Sequence, residues 1–211
     1  MNPDVSHRPQ VIVGVVLAGG RSVRFGGEKA AALLRNTPLL LWATRRLAQT
    51  CAAVAVNTRA GTAAESLARS GGLPVLYDAP GDAAGPLSGV KAGLVWARER
   101  GATALAVSPC DAPLLPDDLF TRLAAAAAAG TGTGAALAET ADGVQPLCAV
   151  WPVSALDYLA RALAGGAHPP TWRTLDGIGA QRVRFADATA FANLNTRADL
   201  AALEGRLARA D

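Results

Sequence analysis

A glycine-rich loop with three basic residues follows the first apolar segment of the chain. It reads LAGGRSVRFGGEK from Leu17 to Lys29. Glycines let the backbone turn sharply and bring several N–H groups close to an anion, and Arg21, Arg24 and Lys29 add charges suited to phosphate oxygens. The loop contains no G-x-G-x-x-G fingerprint and no Walker A motif, because Ala30 stands where Ser or Thr would follow the Lys. It predicts another class of phosphate-binding loop, the alternative being a glycine-rich turn with solvated arginines.

Polar side chains also follow three other predicted strands, at Asn57, Asp78 and Asp111. A carboxylate beside a phosphate-binding loop suits Mg²⁺, which prefers oxygen ligands and keeps several waters. Asp111 is therefore a candidate Mg²⁺ ligand, or else a turn-forming residue. Asp78 could contact a nucleotide or form an Asx turn, and Asn57 could bind a base or ribose or cap the next turn.

Other nucleophiles and metal ligands are scarce. The three cysteines, Cys51, Cys110 and Cys148, are widely separated, and the two histidines, His7 and His168, lie in a predicted tail and a proline-rich loop. These spacings disfavour zinc, a disulfide framework and His-based acid–base chemistry, and they predict that Cys110 is a small buried hydrophobe. Phosphoryl or nucleotidyl transfer is the reaction class that remains, and the missing dinucleotide fingerprint excludes a dinucleotide-dependent oxidoreductase.

The elements that must position these residues alternate along the chain. The sequence predicts strands at 11–17, 52–57, 73–77, 103–107, 135–139, 145–151 and 182–185, and helices at 39–49, 88–100, 116–129 and 154–164. Thr37 is predicted to cap the first helix, with Pro38 at its first position, and Thr196 with Asp199 forms a capping box for the last. This alternation predicts an α/β fold with a Rossmann-like, doubly wound, mostly parallel sheet. Ligands of such sheets bind beyond the carboxyl ends of the strands, where all these loops lie.

Composition excludes several other classes. The chain has 211 residues, of which 51% are hydrophobic, and its net charge of +3 is spread without a basic block. The sequence therefore predicts no nucleic-acid partner, and it contains no apolar run of the roughly 18–20 residues that span a membrane. Residues 1–10 are polar and read as a flexible tail rather than a signal peptide, so a cytoplasmic location is expected.

Four motifs together resemble the molybdenum cofactor guanylyltransferases of the MobA-like NTP transferase family. They are LAGG…RFGGEK from Leu17, D…GPLSG from Asp78, PCDxP around Asp111 and NLNT from Asn193, and the resemblance extends from about residue 11 to 205. It implies a single nucleotidyltransferase domain at 11–211, of the nucleotide-diphospho-sugar-transferase fold type. It also implies a Mg²⁺-dependent transfer of GMP from GTP to the terminal phosphate of the molybdenum-molybdopterin cofactor, with release of pyrophosphate.

The resemblance also assigns roles to individual residues. The nucleotide-binding residues would be Leu17, Ala18, Gly19, Gly20, Lys29, Asn57, Asp78 and Asp111. Arg24, Lys29 and Asp111 would be catalytic, with Asp111 also holding Mg²⁺, and Gly27, Asn193 and Asn195 would contact the pterin. Gly19, where related cytidylyltransferases usually carry a second alanine, favours guanine over cytosine.

The chain departs from the family pattern in two places. Its Gly27-Glu28-Lys29 segment is shorter than the usual one, which is predicted to move Lys29 by a few ångströms, roughly one residue's reach. Residues 165–172 have no clear counterpart. The alternatives are a cytidylyltransferase, an enzyme for another small phosphorylated acceptor, or a non-catalytic GTP-binding adaptor to molybdoenzyme-maturation proteins, which are also expected partners of the enzyme.

Overall fold

The computed structural model describes residues 10–20, 25–83, 85–129 and 133–209, so all but the last residue of the predicted tail at 1–10 lies outside the described residues. The strands are β1 (Ile12–Leu17), β2 (Leu33–Leu34), β3 (Thr37–Pro38), β4 (Val54–Asn57), β5 (Val75–Leu76), β6 (Ala104–Pro109), β7 (Ala136–Thr140), β8 (Gly143–Pro152) and β9 (Gln181–Arg184). The α-helices are α1 (Leu39–Ala48), α2 (Ala63–Ser70), α3 (Pro86–Glu99), α4 (Leu119–Ala129), α5 (Leu156–Ala162), α6 (Thr171–Gly177) and α7 (Arg197–Ala208).

A seven-stranded sheet in the order β5-β4-β1-β6-β8-β7-β9 forms the centre of the protein. Within it, β8 runs antiparallel to β6 and β7, and the other pairs are parallel. Helices α1, α2 and α4 pack on one face with Ile12 and Val16, while α3, α5 and α6 pack on the other with Val13 and Val15. Successive residues of β1 point to opposite faces, and both faces are buried, which explains its continuous apolar run. The mostly parallel, doubly wound fold is confirmed.

Two local predictions differ from the structure. Thr37 and Pro38 form β3, which pairs with β2 across a turn where Arg35 and Asn36 have positive φ. The chain therefore enters α1 extended, Pro38 is the N-cap, and the predicted Thr37 cap is wrong. The predicted helix at 154–164 is a 3-10 turn followed by the shorter α5. The capping box of Thr196 and Asp199 is confirmed at the start of α7.

Helices α2 and α6 were not expected from the sequence. The buried residues of α2 are Ala64 and Ala68, whose small side chains give a weak hydrophobic signal in a helix of eight residues. A capping signal was available, because the Thr62 hydroxyl accepts a hydrogen bond from the Glu65 amide. None of the helices in the described part of the chain has the length and apolar character that crossing a membrane demands.

Candidate active site

The carboxyl ends of four parallel strands lie in one row. Leu17 at the end of β1 is in register with Asn57 of β4 and Pro109 of β6, and Asn57 is in register with Leu76 of β5. A cavity of about 690 Å³ opens above this row, within the size range of small-molecule sites. Every predicted nucleotide-binding residue lines this cavity: Leu17, Ala18, Gly19, Gly20, Lys29, Asn57, Asp78 and Asp111.

Lys29 and Asp111 form an ion pair in the wall of the cavity. Lys29 Nζ lies 2.9 Å from Asp111 Oδ2 and donates a second hydrogen bond of 3.2 Å to Asn195 Oδ1. The two charged side chains are 11% and 22% exposed. Asn195 lines the same cavity, so the structure brings a predicted pterin-contacting residue against two predicted catalytic ones.

The shortened segment before Lys29 does not carry it away from Asp111. The Glu28 carboxylate accepts a hydrogen bond from the Ala63 amide at the start of α2, and Lys29 then begins a 3-10 turn. This bond, between residues 35 positions apart, holds the chain just before Lys29. The displacement expected from the shorter segment stays a prediction.

Asn195 is held by the start of α7. The Asp199 carboxylate accepts hydrogen bonds from the amides of Asn195 and Thr196, and these amides hold the pKa of Asp199 below its usual value. The Leu194 amide donates to the Asp111 carbonyl at 2.9 Å. The loop before α7 and the end of β6 are therefore joined directly beside the Lys29–Asp111 pair.

Asn57 and Asp78 form the second polar group of the cavity. Asn57 is 4% exposed, and its Nδ2 donates to Asp78 Oδ1 at 2.9 Å. Gly89 in α3 packs against this pair, since a Cβ there would collide with Asn57 Oδ1 and lie 2.8 Å from Leu17 Cδ2. The second glycine of the GPLSG motif is explained by this close approach.

The unassigned segment 165–172 packs against the loop that precedes α3. His168 Nε2 accepts a hydrogen bond of 3.2 Å from the Leu87 amide, and its ring fills the place where a Cβ on Gly85 would stand. Gly85 and Pro86 line the main cavity. His168 therefore supports one wall of the candidate site, a role that the sequence analysis did not anticipate.

A second cavity of about 410 Å³ adjoins the first. Ala18, Gly20, Lys29, Ala30 and Arg59 line both, so the two spaces share a wall. The predicted pterin residue Gly27 lines this second cavity together with Gly26, Glu28 and Thr62. Arg59 was missed by the sequence analysis, although its position two residues beyond the end of β4 was a usable signal.

One of the predicted site residues that the structure describes does not line either of these cavities. Asn193 is exposed and lines a separate space of about 210 Å³ beside α7. Arg24 lies outside the described residues, as does Arg21.

The residues present fit a nucleotide-bound Mg²⁺ ion. Asp111 offers one carboxylate at the cavity wall, and phosphates and waters supply most ligands of Mg²⁺ in nucleotide sites. Within the described ranges, no cluster of three or more His, Cys, Asp or Glu residues could hold a metal by itself. Burial raises the pKa of the neighbouring Cys110 thiol to about 12, so it stays protonated at neutral pH.

Comparisons with known proteins identify relatives over most of the chain. Residues 14–176 match the model of the MobA-like NTP transferase domain. The molybdenum cofactor guanylyltransferase of Cereibacter sphaeroides is 40% identical over 197 residues, which cover 93% of this chain and 97% of that protein. The protein of the same name from Cupriavidus taiwanensis is 39% identical over 202 residues, covering 92% and 97%.

Two solved structures share the fold at low sequence identity. The crystal structure of molybdopterin-guanine dinucleotide biosynthesis protein A from Archaeoglobus fulgidus aligns with a TM-score of 0.74 at 22% identity, covering 93% of this chain and 99% of that one. The 4-diphosphocytidyl-2C-methyl-D-erythritol synthase of Anaerococcus prevotii aligns with a TM-score of 0.72 at 10% identity, covering 94% and 96%. These matches support the α/β architecture already described.

Proposed function

Because the chain belongs to the MobA-like NTP transferase family, we propose that it transfers GMP from GTP to the terminal phosphate of the molybdenum-molybdopterin cofactor. The products are pyrophosphate and the guanine dinucleotide form of the cofactor. The named relatives at 39–40% identity support the substrates. The observation that carries the proposal is the ion pair of Lys29 and Asp111, 2.9 Å apart, in the wall of a cavity that also contains Asn57 and Asp78.

The proposed reaction is an in-line displacement at the α-phosphorus of GTP. A terminal phosphate oxygen of the acceptor forms a bond to that phosphorus, and the bond to the β-phosphate oxygen breaks, so that pyrophosphate leaves with the electron pair. The attacking phosphate is already ionised, so no side chain has to remove a proton. The protein contributes position and charge, which supply most of the acceleration in phosphoryl chemistry.

We assign the positioning of GTP to both polar groups of the cavity. Asn57 and Asp78 would orient the nucleoside, and the backbone of Leu17 to Gly20 would lie along the phosphates. Lys29 would stabilise negative charge that develops at the reacting phosphate. Asp111 would hold Mg²⁺, which supplies further positive charge to the phosphate oxygens when it is bound.

We assign the acceptor to the side of the cavity near Asn195, whose amide oxygen accepts a hydrogen bond from Lys29. Because Lys29 is proposed to act at the reacting phosphate, this hydrogen bond would place the acceptor next to that phosphate. Gly27, in the second cavity, and Asn193, in the separate space beside α7, would then be proposed pterin contacts outside the main cavity. Molybdoenzyme-maturation proteins are the proposed recipients of the product, and the three free thiols suit the cytoplasm as the proposed location.

Calorimetry with GTP, CTP and ATP in the presence of Mg²⁺, followed by a pyrophosphate-release assay with the pterin cofactor, tests the proposal. We expect GTP to bind most tightly and pyrophosphate to appear only with the acceptor, and we expect EDTA to abolish its release. Preference for CTP would instead identify a cytidylyltransferase. Binding of GTP without any pyrophosphate release would identify the non-catalytic adaptor.

A further inference from the structure

Arg59 lies where the two neighbouring cavities meet. It follows β4 by two residues, it is exposed, and it lines both the 690 Å³ and the 410 Å³ spaces. We propose that Arg59 binds the β- and γ-phosphates of the nucleoside triphosphate, an inference that rests on the proposed function. Arg59 would thus be a binding residue beyond those that the sequence motifs predict.

The structure orients the Arg59 guanidinium at the glycine-rich loop. Arg59 Nε donates a hydrogen bond of 3.2 Å to the Gly19 carbonyl, and the Thr62 hydroxyl donates one of 2.8 Å to the Arg59 carbonyl. A guanidinium carries five N–H donors, and the Gly19 bond uses one of them. Because this bond holds the planar fork beside the cavity, the other donors are available for phosphate oxygens, which guanidinium groups bind in a bidentate manner.

The charge distribution of the two cavities favours an anion at this place. In the main cavity, Lys29 is paired with Asp111, and Asp78 accepts from Asn57. In the second cavity, the Glu28 carboxylate is engaged by the Ala63 amide. Among the described residues that line these spaces, Arg59 is therefore the cation without a carboxylate partner.

The order of groups along the cavities selects the outer phosphates. Asn57 and Asp78 line only the main cavity, whereas Lys29 and Arg59 line both cavities. The second cavity therefore adjoins the first on the side of Lys29 and Arg59. A nucleotide with its nucleoside near Asn57 and its α-phosphate near Lys29 has its outer phosphates on the path toward that second cavity.

Calorimetry on Arg59→Gln with GTP and with GMP tests this assignment. We expect the Kd for GTP to rise by about 10- to 100-fold, as expected for the loss of a charged hydrogen-bonding partner, and the Kd for GMP to stay within about twofold. Inorganic tripolyphosphate should compete with GTP for the wild-type protein and should compete at least about tenfold less well for the variant. Arg98→Gln is the matched control, since Arg98 is an exposed arginine in the last turn of α3.

The outcomes distinguish a failure of the Arg59 assignment from a failure of the proposed function. If Arg59 served only to hold the glycine-rich loop through Gly19, the affinities for GTP and GMP would fall by the same factor. The assignment would then be overturned. Unchanged GTP binding in Arg59→Gln, with a wild-type thermal midpoint, would also overturn it while leaving the proposed function intact. If the wild-type protein did not bind GTP, both would fail.

Discussion

Replacing Lys29 by Met separates its contribution to turnover from its contribution to the fold. Lys29 Nζ lies 2.9 Å from Asp111 Oδ2 and 3.2 Å from Asn195 Oδ1. Methionine keeps an unbranched chain of similar length and removes the charge and both hydrogen bonds. We expect kcat to fall by about 10²- to 10³-fold, which is the loss measured when one oxyanion-stabilising donor is removed.

The effect on stability should be smaller. At 2.9 Å, two unit charges interact by about 6 kcal/mol at an effective dielectric constant of about 20, and desolvation offsets most of this energy. Asp111 is 22% exposed, so water can partly solvate its carboxylate once Lys29 has gone. We therefore expect the free energy of unfolding to fall by about 1–3 kcal/mol, less than for a fully buried pair.

The chain contains a matched control in its other lysine. Lys91 Nζ lies 2.7 Å from Asp82 Oδ1, and the side chains are 23% and 11% exposed. Lys91 does not line the main or the second cavity. Lys91→Met should therefore lose a similar amount of stability in urea denaturation while keeping kcat within about threefold, because it removes an ion pair without touching the reacting phosphate.

Pyrophosphate release with GTP, Mg²⁺ and the pterin acceptor gives kcat, measured well below the unfolding midpoint of each variant. A kcat of Lys29→Met within threefold of the wild-type value would refute the role of Lys29. Equal losses in the Lys29 and Lys91 variants would show that the loss came from stability alone.

Three further predictions concern the cavity and its supports. Asp111→Asn should reduce Mg²⁺-dependent pyrophosphate release by at least about 100-fold with an unchanged circular dichroism spectrum; wild-type release would remove Asp111 from metal binding. Gly89→Ala should weaken GTP binding by on the order of tenfold in calorimetry because it displaces Asn57, whereas Gly93→Ala, whose Cβ would lie nearest to Leu105 and Val15, should cost stability alone, about 1–3 kcal/mol; equal GTP affinities would contradict this. The pKa of Asp199 is lowered by backbone amides, so its stabilising contribution is complete above the unfolded-state pKa of about 4 and is lost as the pH falls through the lower folded-state value. Asp199→Asn should lose this part of the acid dependence in urea titrations between about pH 2 and 6, and parallel profiles would contradict it.

The sheet and the polar residues at its edge were predictable because their signals are local. The run from Ile12 to Leu17 is apolar at every position since β1 is buried on both faces, and a residue directly after such a strand must lie at its carboxyl edge. This rule alone predicts that Asn57, Asp78 and Asp111 lie at the same edge of the sheet.

The remaining features depend on contacts between distant parts of the chain. The position of Lys29 depends on the Glu28 bond to Ala63, and α2 itself escaped prediction because its buried face is alanine. His168 supports Leu87 across 81 positions. Such contacts leave no periodic pattern in the sequence, so they could not be predicted from it.

The location of the site follows from the strand order more than from any one residue. β1 pairs with β4 on one side and with β6 on the other, while α1 after β1 and α3 before β6 pack on opposite faces of the sheet. The connections on the two sides of β1 therefore lie on opposite faces of the sheet. This leaves a crevice at the carboxyl end of β1 that none of the described helices covers. The glycine-rich loop must leave β1 at this crevice, and small residues there leave room for a phosphate chain. The fold accounts for the place of the candidate site, and the roles proposed for Asn57, Arg59 and Lys29 would account for what binds there.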